Sequence, residues 1–159
     1  MATDERGLST DFCAKFRFMA DECLFCRIVS GELPATVVYE DKNALAFLDH
    51  RPLFPGHTLL VPRQHVETLG ELPAKLVAPY FEAAQLLSLA VESAMDAEGS
   101  FVAMNNRVSQ SVPHLHVHVV PRRRKDGLKG FFWPRTKYKS AEEMEEVKRK
   151  ISAALKIKK

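Results

Sequence analysis

Hydrophobic and polar positions along this chain follow two periods, and the switch between them predicts the elements. Thr36 to Glu40 and Ala44 to Leu48 flank Asp41-Lys42-Asn43, a turn-like cluster, and predict an antiparallel strand pair. Thr58-Leu59-Leu60-Val61 predicts a third strand, set off from the pair by Pro52, Pro55 and Gly56. From Pro73 to Asp96 the period changes. Leu76, Val77, Tyr80, Ala84, Leu87, Ala90, Val91 and Ala94 recur near the helical spacing and predict one long helix. Pro79 near its start predicts a kinked or separate first turn. Gly99 ends the helix, Ser100 to Met104 predicts a strand, and His114 to Val120 predicts the last main strand. Ser140-Ala141-Glu142-Glu143 is a capping-box pattern that opens a charged helix to about Leu155. Strands gathered around one long crossover helix predict an α+β fold.

The last strand carries the chemistry. Its polar positions are His114, His116 and His118, and its apolar positions are Leu115, Val117 and Val119. Successive strand residues face opposite ways, so the three imidazoles share a face, roughly 7 Å apart along the backbone. Imidazole can be a nucleophile, a proton carrier or a metal ligand near neutral pH. A His-x-His pair can chelate a metal, or it can supply a nucleophile flanked by phosphate-binding partners. The polar loop just upstream, Asn105-Asn106-Arg107-Val108-Ser109-Gln110-Ser111, favours the second reading. It offers amides, a hydroxyl and backbone N–H groups, which are donors for anionic oxygens.

Composition narrows the classes. At 159 residues, 46% hydrophobic and 27% charged, the chain is long enough for one real core. No apolar run approaches the ~20 residues of a membrane span, and the N-terminus lacks an apolar signal region, so a cytoplasmic protein is expected. The net charge of +3 is weak for nucleic-acid binding. The basic excess is local, in Arg122-Arg123-Arg124-Lys125 and later residues, and suits a small polyanion. Residues 1–20 read as an extension in which Met19 resembles a natural start, 21–125 as the main domain and 126–159 as a C-terminal segment and helix.

The run from Gln110 to Arg122 resembles the signature of the histidine triad (HIT) family. Cys23-Leu24-Phe25-Cys26-Arg27-Ile28-Val29-Ser30-Gly31-Glu32-Leu33-Pro34-Ala35 resembles the family's opening. Tyr39-Glu40-Asp41 with Ala44 to Asp49 resembles its first hairpin, and Pro55-Gly56-His57 through His65 its central strand. The resemblance spans roughly Asp21 to Arg123. It implies a five-stranded antiparallel sheet, often doubled in a homodimer, and a nucleotide hydrolase or transferase acting on the α-phosphate of purine nucleotides such as AMP or GMP. In that reading His116 is the nucleophile and forms a nucleotidyl-histidine that water hydrolyses. Asn105, Ser111 and His118 contact phosphate, Gln110 sits near the phosphate or leaving group, and His57 lines the site. Asp49 accepts the ribose hydroxyls, and Leu24, Phe25, Ile28, Phe47 and Leu48 flank the base.

The Cys23-x-x-Cys26 pair has metal-ligand spacing and needs two further ligands. The family's zinc-containing branch uses two such cysteines, the histidine after the central strand and the first triad histidine. The matching set here is Cys23, Cys26, His65 and His114, which implies a closed, structural Zn²⁺ site. Two departures stand out. Ser109 occupies a position where many relatives have glycine; its N–H can still meet phosphate unless a positive φ is required. His50 stands where an aliphatic residue is common. The leaving group is open between phosphoramidate-type and dinucleoside polyphosphate substrates, and Gly130 to Tyr138, aromatic and basic, can either hold a second base or pack in a dimer. The alternative from another class is a nucleotide-binding regulatory protein with negligible turnover.

Overall fold

The computed structural model describes residues 23–128 and 137–156. The extension with Met19 and Cys13, and the aromatic stretch from Gly130 to Thr136, lie outside the described residues. The chain divides into two compact units, one ending at Asp126 and one beginning at Gly127.

The first unit is built on five antiparallel strands. They are β1 (Val37–Glu40), β2 (Ala44–Leu48), β3 (Thr58–Pro62), β4 (Gly99–Ala103) and β5 (Val117–Arg122), in the order β1-β2-β3-β5-β4. A short helix α1 (Leu24–Val29) precedes β1, and the long helix α2 (Ala74–Ala94) crosses from β3 to β4. Because β5 lies between β3 and β4, that connection must pass over a strand, which is why it needs a helix. Pro79 lies just past the first turn of α2, where it removes one i→i−4 hydrogen bond, yet the helix runs through it without a separate turn.

The hairpin between β1 and β2 is set by Asp41. One carboxylate oxygen accepts the N–H groups of Asn43 and Ala44, each at 2.7 Å, and the other accepts the Tyr39 hydroxyl at 2.8 Å. That is the Asx-turn chemistry expected of a turn aspartate.

Period-2 alternation divides the interior into two layers. Ala44, Ala46, Leu60, Leu115, Val117 and Val119 face α2, where they meet Tyr80, Ala83, Ala84, Leu87 and Val91. The two alanines leave room for the helix to approach the sheet. Tyr80 is fully buried there and donates its hydroxyl to the Leu60 carbonyl at 2.8 Å. The opposite face carries Leu45, Phe47, Leu59 and Val61, closed over by Phe25 from α1 and by Cys23, the N-cap just before it. The triad histidines belong to this second face.

Several expectations shift. Ala90 and Ala94, read as part of the buried stripe, are exposed on α2, and Val77 is exposed as well. The last strand starts at Val117 rather than His114. His114 and Leu115 precede it in an irregular stretch where His114 N–H bonds to Val112 and Leu115 N–H bonds to Val66. Helix α1 was not expected: its six residues are too few for a period to register.

In the second unit, helix α3 spans Ala141–Lys156. Ser140 Oγ accepts the Glu143 N–H at 3.2 Å, the forward half of a capping box, and the Glu143 carboxylate reaches back to the N–H of Lys139, one residue before the cap.

Candidate functional site

Two groups of polar side chains occupy the face closed by α1, one at each end of the triad. The first is Cys23, Cys26, His65 and His114, whose donor atoms all lie within 4.8 Å of one another. Cys23 Sγ is 3.4 Å from His114 Nδ1, Cys26 Sγ is 3.2 Å from His65 Nδ1, and Cys26 Sγ is 3.5 Å from His114 Nδ1. Bonds of about 2.3 Å to sulfur and 2.0–2.1 Å to nitrogen in a tetrahedron give sulfur–nitrogen edges of about 3.5 Å. The donor set therefore fits a four-coordinate metal ion. The protonation pattern fits too. His114 Nε2 is 2.9 Å from the Pro62 carbonyl, which can only accept, so this nitrogen carries the hydrogen and Nδ1 presents its lone pair to the thiols. Burial holds the His114 imidazole down at about 4, against the opposing pull of the Pro62 carbonyl. It is neutral and able to ligate at ordinary pH. His65 is also lowered by burial, with Glu67 and Glu71 opposing.

The second group is His57, His116, His118 and Asp49. His116 is buried, and its Nδ1 lies 2.7 Å from the His114 carbonyl. A carbonyl can only accept, so here, unlike in His114, the hydrogen is on Nδ1, which leaves the lone pair on Nε2. Phe25 stacks edge-on against the ring with centroids 5.3 Å apart and limits its rotation. His57 and His118 form a chain. The Leu53 N–H donates to His57 Nδ1 at 3.2 Å, so His57 carries its hydrogen on Nε2 and donates to His118 Nδ1 at 3.0 Å. His118 is thereby left with an N–H on Nε2. Asp49 stands 3.6 Å from His57 Nδ1, too far for a hydrogen bond, and accepts instead from the Arg51 N–H at 2.8 Å. Burial lowers both imidazoles, His118 to about 4 with the help of His116 and His57.

The residues expected to flank a base separate into two kinds. Phe25 and Phe47 are buried against each other, centroids 5.5 Å apart, and Ile28 packs beside them. Leu24 and Leu48 are exposed. His50 points to solvent. In the upstream loop two of the expected phosphate-side amides are engaged with main chain. Asn105 donates to the Ser109 carbonyl at 3.1 Å, and Gln110 spends its side-chain amide on main chain, but Ser111 is exposed. Asn106, the alternative to Asn105 among the loop's amides, has its Oδ1 engaged by the Leu69 N–H at 2.8 Å; neither that bond nor the Leu53 amide that fixes His57 was predicted. Neither contact leaves a local signature, since each joins residues set by the fold.

Ser109 adopts φ +59° and Arg107 φ +69°, both in the left-handed region. The glycine expected by resemblance at position 109 is thus replaced by a residue that pays a conformational cost, about 1–2 kcal/mol for an L-residue.

A HIT-domain family model matches residues 30–125. This chain belongs to the HIT family. Within it, an adenylylsulfatase from Arabidopsis thaliana is 35% identical over 124 residues, covering 77% of this chain and 63% of that protein. An adenosine 5′-monophosphoramidase from Schizosaccharomyces pombe is 33% identical over 136 residues, covering 84% of this chain and 98% of the relative. Among solved structures, a HIT protein from Bacillus subtilis aligns with a TM-score of 0.76 at 32% identity, covering 83% of this chain and 96% of that one. A zinc-bound histidine triad protein from Mycobacterium smegmatis aligns with a TM-score of 0.65 at 36% identity, covering 88% and 99%. The HIT assignment brings nucleotide-binding hydrolase as the general kind of activity. Among the described residues no helix is long and apolar enough to cross a membrane.

Two tests come from this geometry. Ser109→Gly is expected to be neutral or stabilising by up to ~1 kcal/mol, because relief of the left-handed strain is offset by a more flexible unfolded chain. Ser109→Val should cost ~1–2 kcal/mol, as a branched side chain fits that region worst. Urea unfolding of the two variants reads the difference directly. The second test concerns His118. Its pKa is about 4 in the folded protein against an ordinary 6.5, so in that window the unfolded chain binds the extra proton. Its contribution is complete above the ordinary value and drains away as pH falls toward the folded one. Unfolding midpoints followed from about pH 7.5 to about pH 5 should fall more steeply for the wild type than for His118→Asn.

Proposed function

We propose that this protein hydrolyses purine nucleotides that carry a substituent on the α-phosphate, through a covalent intermediate on His116. The observation that carries the reading is the His116 tautomer. With Nδ1–H bound to the His114 carbonyl, Nε2 offers its lone pair without any proton having to leave first. Attack forms the Nε2–P bond as the bond from phosphorus to the substituent breaks. Water then cleaves the Nε2–P bond and releases the nucleotide. The two displacements share one site, which is the usual economy of covalent catalysis.

Charge on the phosphoryl oxygens needs donors held in place. His118 supplies its Nε2–H, fixed through His57 and the Leu53 amide. Asn105, Ser111 and the N–H groups of the 105–111 loop are the others. Asp49 is the ribose acceptor, and Phe25, Phe47, Ile28, Leu24 and Leu48 form the apolar surface for the base. The relatives' names support adenylyl groups with a small substituent over dinucleoside polyphosphates, since adenylylsulfatase and adenosine 5′-monophosphoramidase both denote adenosine monophosphate derivatives.

Zinc is the metal we assign to Cys23, Cys26, His65 and His114, on the thiol-rich donor set and the zinc-bound neighbour. It would neutralise the thiolates and tie α1 to the entry of β5; with four protein ligands it leaves no position for water. A homodimer is supported by the outer strand β4 with its exposed Val102, and by exposed Phe81 and Leu89 on α2.

His116→Ala should lower turnover by on the order of 10³-fold or more while AMP still binds. Rapid quench with a phosphoramidate of adenosine should trap an adenylyl adduct on the wild type and none on the variant. Appreciable turnover by His116→Ala would end the covalent reading. For the metal, elemental analysis should find about one zinc per chain. Chelation should lower the thermal midpoint, because metal binding energy is coupled to folding, and metal-free protein as first purified would remove the assignment.

A further inference from the structure

The side chain of Gln110 is bonded at both ends to main chain. Oε1 accepts the Arg107 N–H at 2.7 Å, and Nε2 donates to the Glu67 carbonyl at 2.7 Å and, more weakly, to the His114 carbonyl at 3.4 Å. The reverse orientation would set the amide NH₂ against an N–H and its oxygen against two carbonyls, so the assignment is forced. A side chain so engaged has nothing left to offer a phosphate.

We propose that Gln110 is a positioning residue that holds the 105–111 loop in the shape the phosphoryl group requires, and that it does not touch substrate. The inference rests on the reading above that this loop receives the phosphate. Left-handed backbone at Arg107 and Ser109 is an unfavourable shape that persists only where surroundings impose it. Gln110 grips one of those two residues directly through the Arg107 N–H. Its other end reaches Glu67, two residues beyond His65 in sequence. Asn106 and Arg107 add links from the loop to the same neighbourhood, at Leu69 and Glu71. The phosphate loop and the segment following a metal ligand are thereby fastened together, and Gln110 is the contact that grips both the backbone of the strained turn and the backbone of that segment.

Gln110→Met keeps the length of the side chain and removes both polar ends. Hydrogen exchange on the ligand-free protein should show the amides of the loop, Arg107 first, exchanging about tenfold faster or more. With adenosine phosphoramidate, kcat should fall about 10–100-fold while KM and the AMP dissociation constant move no more than about threefold, as expected when donors are misplaced around the transition state. Unchanged loop exchange would overturn the proposal. So would a large rise in KM with kcat intact, the mark of a direct substrate contact. Should the methionine variant not fold, Gln110→Glu carries the test. One carboxylate oxygen still accepts from Arg107 while the other opposes the Glu67 carbonyl, so the loop is released from Glu67, and faster exchange at the loop amides other than Arg107 is expected with the loss of kcat. If the wild type turns over none of the nucleotides, the hydrolase reading fails, and the exchange measurement alone still decides the role of Gln110.

Discussion

The imidazole of His114 is bonded on both sides, and the rest of the site is arranged around that fact. One nitrogen is donated to the Pro62 carbonyl at the end of β3; the other faces the thiols of Cys23 and Cys26. A single fully buried ring thus joins the strand before it, the helix above it and the strand it introduces. Its carbonyl then fixes the tautomer of His116. The thiol cluster and His116 are linked by one residue's side chain and main chain, so a disturbance at the thiols reaches His116 through His114 and the hydrogen bond that its carbonyl accepts.

Burial has a second effect on the same face. An imidazole out of water is harder to protonate, and His57, His114 and His118 are all lowered for that reason. Neutral rings can form the donor-to-acceptor sequence from Leu53 through His57 to His118, because each ring has one nitrogen of each kind. Protonation anywhere along that sequence would place two hydrogens against each other. The aromatic cover from Phe25 and the apolar layer of Leu45, Phe47, Leu59 and Val61 therefore set charge states on this face, in addition to their packing.

Much of this was legible in the sequence. The alternation of His114, His116 and His118 with Leu115, Val117 and Val119 gives the correct faces, and the hairpin, the crossover helix and the α3 cap fall within a residue or two of their observed limits. These are properties of period and of local hydrogen bonding, which a sequence states directly. Helix α1 is too short to show a period, and β5 begins late because His114 and Leu115 are engaged by Val112 and Val66 instead of a neighbouring strand. The orientation of Gln110 and the left-handed turn at Arg107 and Ser109 were hidden for a deeper reason. No propensity favours them; they exist because Glu67, Leu69 and His114 stand nearby, and that proximity is a product of the whole fold.

The same dependence bears on the order in which the chain acquires its structure. Three of the bonds that hold the 105–111 loop come from residues some forty positions earlier, across the length of α2. Closing so long a segment costs chain entropy before any of those bonds can form. A loop whose own backbone preferences oppose its final shape cannot serve as a nucleus. It must wait until β3 and β5 are paired and then be drawn into place. The part of the molecule assigned to phosphate would be the last to order during folding and the first to loosen under stress, while the sheet beneath it stays intact.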